Sequence, residues 1–230
     1  MPKLLYPVAG KPILEWILGE LEPLCRRLVF VVSPAGASPI TLELERLLPG
    51  RFEIVVQHEP LGMGHAVLVA REKARTPSSL VVWGDQVGAR RETIKLCMAA
   101  HTMRVNAAAT LPTALHDHPY IHLERDGTGR LTRILQLREG DTLPDRGESD
   151  CGVFLFKTGS LFDTLAQMQS WPDAWGRHSK ELNLLPIFPL LDQEPGSVCC
   201  VRIAEIEQSV GINTAEDIEA VKASLLARNR

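Results

Sequence analysis

The sequence predicts an α/β fold: a mostly parallel sheet with helices packed on both sides. Short β-branched runs at Arg27–Ser33 (RLVFVVS), Phe52–Gln57 (FEIVVQ) and Leu80–Trp83 (LVVW) alternate with helical periodicity around Ile13–Leu21, Ile40–Leu48 and Gly64–Ala74. The chain has 230 residues and is 45% hydrophobic, enough to bury a full core as a single domain over residues 1–230. Sheets of this type place ligands outside the carboxyl ends of their strands, so residues just past each strand are the first site candidates.

Element by element, Ile13, Leu14, Ile17, Leu18 and Leu21 fall on one helical face. Beyond Asn106 come β-like stretches at Ala107–Leu111, Tyr120–Glu124 and Leu131–Leu137, with Asp126-Gly127-Thr128-Gly129 as a hairpin turn between the last two. Asp141–Asp150 is polar and reads as an exposed loop, and Cys151–Phe156 as an apolar strand. A helix near Ser160–Gln169, a helix from Lys180 to Leu191 bent or broken by Pro186 and Pro189, and a strand at Val198–Ile203 follow. The last helix is capped by Asn213 or Thr214, with Glu216 and Asp217 in its first turn.

A net charge of -3 argues against a protein that coats nucleic acid by bulk charge. No apolar run approaches the length of a membrane span, and Pro7, Gly10, Lys11 and Pro12 interrupt anything resembling a secretory signal. The five cysteines lack metal-finger spacing, which fits buried or free thiols in a reducing, cytoplasmic setting. No HExxH zinc motif, no GxSxG nucleophile elbow and no GxGxxG after the first strand is present.

Four segments carry candidate chemistry. Lys3 and Lys11 flank PKLLYPVAGKP, where lysines beside a glycine can hold phosphate; taken alone, they read first as two surface lysines and a turn glycine. Pro60–Ala66 (PLGMGHA) opens a helix after a strand, and its glycines admit either a ligand or an ordinary turn. Val81–Asp85 (VVWGD) ends a strand in an aspartate placed to hold Mg²⁺ and phosphates, or to cap a helix. In Val210–Thr214 (VGINT), Asn213 offers a second oxygen ligand or a plain helix cap.

Taken in order, PKLLYPVAGKP, QHEPLGMGHA, WGD and GINTAED resemble the nucleotidyltransferase superfamily that makes sugar nucleotides. They are most similar to the uridylyltransferase domain of bacterial N-acetylglucosamine-1-phosphate uridylyltransferases. With the weaker EGDTLPDRGESDCGVFLF stretch, they cover nearly the whole chain. The resemblance implies a Rossmann-like sheet with a β-hairpin insertion. It also implies Mg²⁺-dependent attack by a sugar-1-phosphate oxygen on the α-phosphorus of a nucleoside triphosphate, UTP by the closest likeness, with loss of pyrophosphate. Chemistry of this kind needs alignment and charge neutralisation rather than a protein nucleophile. By the same resemblance, Asp85 and Asn213 hold Mg²⁺, Lys3 contacts the phosphates, Gln57 and the Gly62 backbone read the base, and Gly84 leaves room for the nucleotide.

Three departures accompany it. Members of the superfamily open with a first strand and a glycine-rich loop of LAAGxGTRM type, whereas this sequence starts just after that point. Loss of a central strand would expose neighbouring strand edges. A start upstream of Met1, an impaired form, and a partner strand in the gap are the three readings. The acceptor pocket also differs, with Gln136 for a glutamate and Asp150-Cys151 for Asn-Thr. Asn183 stands where the family has an aromatic. These changes open the acceptor to another phosphorylated sugar, polyol or small alcohol. No acetyltransferase β-helix follows, so acetyl transfer is not implied. Intact Asp85, Asn213 and Gln57 favour an active enzyme; the absent loop favours an impaired relative that binds nucleotide or sugar phosphate in a regulatory role. The sequence sets no oligomeric state.

Overall fold

The computed structural model describes residues 1–212 and 214–228. After a 3₁₀ turn at Lys3–Leu5, the elements in order are β1 (Pro7–Val8), β2 (Lys11–Pro12), α1 (Ile13–Leu21), β3 (Val29–Val32), α2 (Pro34–Leu47) and β4 (Glu53–Val56). Then come α3 (Met63–Val69), β5 (Ser78–Val82), α4 (Arg91–Met103), β6 (Ala109–Asp117), β7 (Ile121–Arg125), β8 (Leu131–Gln136), β9 (Arg146–Asp150) and β10 (Val153–Lys157). The chain ends with α5 (Thr158–Met168), α6 (Ile187–Leu191), β11 (Val198–Arg202) and α7 (Ala215–Arg228).

The expected α/β architecture forms, a central sheet flanked by helices, but the sheet is mixed. Its main part runs β11-β6-β10-β5 with β9 added on β6. There β11 is parallel to β6, while β10 is antiparallel to both β5 and β6. β3 and β4 form a separate parallel pair, and β7–β8 the expected hairpin. β3 and β5 have no hydrogen-bonded sheet partner on their remaining edges among the described residues. Every residue of β3 but Val32, and all of β4 and β5, stays partly or fully exposed, while Val153–Phe156 of β10 are buried.

α1 starts and ends where its periodicity sets it, and its apolar face joins two clusters. Ile13, Trp16, Ile17 and Leu21 pack with Val8, Val153 and Ile212; Leu14 and Leu18 pack with Val32, Ile40 and Leu44. α2 begins earlier than the periodicity suggests, because the Ser33 hydroxyl accepts the Gly36 N–H at 3.2 Å and Pro34 supplies a preset φ at the first position. The largest cluster is built on Phe154, Phe156 and Phe188 with Leu161, Leu165 and Met168.

Two expectations are corrected. The stretch Asp141–Asp150 is not an exposed loop throughout, since Arg146–Asp150 forms β9 and Gly147–Asp150 are buried. Its polar residues are buried because they are paired: Glu148 accepts from Thr113 Oγ1 at 2.7 Å and Arg125 Nε at 3.0 Å. The helix expected from Lys180 to Leu191 shrinks to Ile187–Leu191. Lys180 has φ 58, and Leu182 bridges to Trp175 and donates its N–H to Leu61 O at 2.7 Å. That segment is spent on holding the start of α3. At the other end, Thr214 caps α7, accepting the Asp217 N–H at 3.2 Å while Asp217 accepts the Thr214 N–H at 2.7 Å. Among the described residues, no helix is long and apolar enough to cross a membrane.

Candidate active site

β5 delivers Trp83-Gly84-Asp85 to its carboxyl end, where the chain turns: the Asp85 carbonyl accepts N–H groups from Val87 and Ile212, each at 3.0 Å. Those bonds tie the loop after β5 to the segment after β11. The Asp85 carboxylate lies against Gly211, where a Cβ would stand 3.4 Å from Oδ1. Lys3 Nζ donates to Asp85 Oδ2 at 3.0 Å, with the lysine about half exposed. Lys3 and Asp85 are thus brought together as an exposed cation–anion pair. Gly84 faces Leu4, whose Cδ2 would be 3.4 Å from an added Cβ. Lys11, the other phosphate candidate, is turned away: its ammonium sits 3.6 Å from Glu15 and over the Trp16 ring. Asn213 lies outside the described residues.

Gln57 and Gly62 also meet. Gln57, one residue past β4, donates through Nε2 to Gly62 O at 3.1 Å, and the same nitrogen is 3.0 Å from His65 Nδ1. The glycines of PLGMGHA are explained by packing rather than by ligand approach. Gly62 has φ 95, and a Cβ there would stand 2.6 Å from Glu181 Cβ and 2.7 Å from Leu182 O. At Gly64 a Cβ would meet Leu182 O at 3.0 Å and Asn183 O at 3.1 Å. The Gly64 N–H is already bonded to Leu182 O at 2.9 Å. The loop is therefore a docking point for residues 181–183, and it places Asn183 beside the base-reading candidates.

The acceptor candidates are all buried: Gln136 is 5%, Asp150 8% and Asn183 4% exposed. Asp150 Oδ1 accepts the Gly152 N–H at 2.8 Å, while Oδ2, like Asn183 Oδ1, is buried with no hydrogen-bond partner. Buried oxygens of this kind are costly unless something supplies a donor. The Asp150–Gly152 turn lies over the end of β5: Gly152 O accepts the Trp83 N–H at 3.0 Å, and its Cα is packed by Trp83 and Gln86. Gln136 sits apart at the end of β8, its N–H donated to Asp141 Oδ2 at 2.9 Å.

Sequence reasoning missed Glu139 and Gln86. Glu139 is buried and accepts from Ser179 Oγ at 2.6 Å, the His178 N–H at 2.9 Å and Arg138 Nε at 3.1 Å. Although burial alone would raise its pKa, these donors hold it down to about 2. Gln86 donates to Gln208 O at 2.7 Å and pins the loop beside Asp85. Glu139 opens the weaker EGDTLPDRGESDCGVFLF stretch and Gln86 follows the WGD segment, but each is identified by partners far away in the chain.

Burial pushes the Asp150 carboxyl up to about 6. A carboxyl whose folded pKa exceeds its unfolded value is protonated in the folded chain while already ionised in the unfolded one. Asp150 therefore costs stability as the pH rises from about 4 to about 6, and the full cost is in place above that window. Relative to the native chain, Asp150→Asn is expected to gain ~3 kcal/mol between pH 4 and pH 7. Urea unfolding of both chains across that range measures it, and a pH-independent difference would contradict the assignment.

The central sheet flanked by helices is an α/β fold that solved structures share. HddC from Yersinia pseudotuberculosis aligns over 97% of this chain and 90% of its own, at TM-score 0.67 and 17% identity. 4-Diphosphocytidyl-2C-methyl-D-erythritol synthase from Anaerococcus prevotii aligns over 97% and 93%, at TM-score 0.69 and 15% identity. The chain belongs to the MobA-like NTP transferase domain family, whose model matches residues 1–149. Among curated relatives, the bifunctional protein GlmU of Enterococcus faecalis is 31% identical over 216 residues, 92% of this chain and 45% of that protein. GlmU of Listeria monocytogenes serotype 4a is 27% identical over 232 residues, 99% of this chain and 48% of its own. The chain spans about half the length of the curated relatives it matches.

Proposed function

We propose that this chain acts as one domain that transfers a nucleoside monophosphate, UMP, from UTP to a phosphorylated sugar or similar small acceptor. An acceptor phosphate oxygen bonds to the α-phosphorus as the bond to the β-phosphate breaks, and pyrophosphate leaves. The observation that carries the reading is the pairing of Lys3 with Asp85 at the carboxyl end of β5, against the Gly211–Ile212 segment. Family membership and the GlmU relatives support the reaction class.

A divalent cation fits the donor chemistry, because Asp85 presents a partly exposed carboxylate whose hydrogen-bond partner is a half-exposed lysine ammonium. Asp85 with Asn213 would hold Mg²⁺, which when bound neutralises charge on the phosphates. Lys3, released from Asp85, would contact those phosphates. Gln57 and the Gly62 backbone would read the base, a side-chain amide matching the paired donor and acceptor edge of uracil. Gly84 would leave room for the nucleotide. Gln136, Asp150 and Asn183 would face the acceptor, the last two through oxygens that await a donor. Asp150, ionised above about pH 6, would accept a hydrogen bond from an acceptor hydroxyl through Oδ2.

Pyrophosphate release with UTP and a panel of sugar-1-phosphates tests the reading; release that depends on one acceptor supports it, and none with any acceptor opposes it. Gln57→Ala should flatten the preference among the four triphosphates by about tenfold in relative kcat/KM, the worth of one hydrogen-bond pair. Unchanged preference would move base reading elsewhere. A second reading is an impaired homologue that binds nucleotide or sugar phosphate without turnover. Saturable binding with no pyrophosphate released would select it.

A further inference from the structure

One buried carboxylate joins the two segments that carry Gln136 and Asn183. β8 ends at Gln136, and a 3₁₀ turn at Leu137–Glu139 follows it directly. Asn183 closes the irregular stretch 176–183. Glu139, its side chain buried, reaches from the first segment into the second. Its Oε1 accepts from Ser179 Oγ at 2.6 Å and from Arg138 Nε at 3.1 Å. Its Oε2 accepts the N–H groups of His178 at 2.9 Å and of Ser179 at 3.3 Å. Each oxygen takes two donors, which fills the acceptor capacity of an ionised carboxylate. The backbone closes tightly here, since a Cβ on Gly176 would stand 2.5 Å from Glu139 Oε1. Ion pairs of Arg138 with Glu181 and of Arg177 with Asp141 flank the contact, and Asp141 also accepts the Gln136 N–H at 2.9 Å.

What is fixed at Glu139 is relayed along the chain. Gly176 donates its N–H to Glu181 O at 2.8 Å and accepts the Lys180 N–H at 3.0 Å, so residues 176–181 form a closed loop. Leu182 donates its N–H to Leu61 O at 2.7 Å and accepts the Gly64 N–H at 2.9 Å. Asn183 donates its N–H to Ala174 O at 3.0 Å. Leu61 and Gly64 bracket Gly62, whose carbonyl accepts from Gln57. A continuous hydrogen-bonded path therefore runs from Glu139 through 178–183 to the Gln57–Gly62 pair.

We propose that Glu139 is a positioning residue: its carboxylate fixes the 176–183 segment, and through it sets Asn183 for the acceptor and the Gly62 carbonyl for the base. The roles of Asn183 and Gly62 rest on the nucleotidyl-transfer reading; the clamp does not. Glutamine is the sharp probe, because it keeps the shape while turning one acceptor oxygen into an NH₂ donor. In place of Oε2 that nitrogen faces two backbone N–H groups, and in place of Oε1 it faces the Arg138 Nε–H. Either way a buried donor loses its acceptor.

Amide hydrogen exchange of the full native chain and of Glu139→Gln gives the first test. His178 and Ser179 bond the carboxylate directly, whereas Gly64, Leu182 and Asn183 are reached only through the segment. Exchange at all of these is expected to quicken about tenfold, with Ile17 and Leu18 of α1 unchanged. Faster exchange at His178 and Ser179 alone, or native rates throughout, overturns the proposal. If α1 quickens equally, or the variant does not melt cooperatively, Ser179→Ala takes its place, removing one donor and keeping the carboxylate. Quicker exchange at Gly64 and Leu182 then supports the proposal, and native rates there overturn it. In steady state, Glu139→Gln should raise KM for acceptor and for UTP about tenfold each with kcat within about threefold of native, a split that mere loss of folded chain does not give. An unchanged KM for either substrate overturns the proposal. A native chain that releases no pyrophosphate opposes the nucleotidyl-transfer reading instead, and the exchange comparison still decides the clamp.

Discussion

Asp85→Ala should lower kcat/KM for nucleotidyl transfer by about 10³-fold or more, in keeping with the removal of a preorganised charge that holds the phosphates. Folding should be almost untouched. The Asp85 side chain is partly exposed, and its ion pair with Lys3 is of the surface kind, worth roughly 0–1 kcal/mol. The backbone bonds that tie Asp85 to Val87 and Ile212 do not involve the carboxylate and survive the change. Steady-state kinetics beside a thermal melt separates the two effects. Retention of most activity would remove Asp85 from the site. A large loss of stability together with activity would make the aspartate a structural residue.

Gly62→Ala should cost about 2–4 kcal/mol of stability. Its φ of 95 is strained for any L side chain, and the new Cβ would be driven to 2.7 Å from the Leu182 carbonyl, a backbone atom that cannot swing aside. The local response, a shift of residues 181–183, also moves Asn183 and disturbs the Gly62 carbonyl that Gln57 holds. Weaker nucleotide binding should therefore accompany the lower melting temperature. Gly84→Ala is the contrast: there the nearest neighbour is the flexible Leu4 side chain at 3.4 Å, and stability should change little. Equal melting temperatures for the two variants would show that the Gly62 turn is not constrained as described.

What could be read from the sequence follows from where the determining contacts lie. α1 was legible to the residue because its burial repeats at helical spacing within nine residues, Ile13–Leu21. The strands β3, β4 and β5 were legible because β-branched runs mark them locally. β9 was not: RGESD reads as a loop, and it is a buried strand because Thr113, Arg125 and Arg202, all distant in sequence, surround Glu148. The segment 180–186 reads as the start of a helix that runs to Leu191, yet its backbone is committed to Leu61 and Gly64, a demand visible only in three dimensions. The site divides the same way. Asp85, Gln57 and Gly62 stand at strand ends or turns that the sequence marks, whereas Glu139 and Gln86 matter through partners that it does not.

Binding of the four Mg²⁺–nucleoside triphosphates to the full chain, by calorimetry at one ionic strength, tests the central claim most directly. Selective, saturable binding of UTP, lost in Asp85→Ala and made indiscriminate in Gln57→Ala, is the expected result. A cooperatively folded chain that binds none of the four would contradict it.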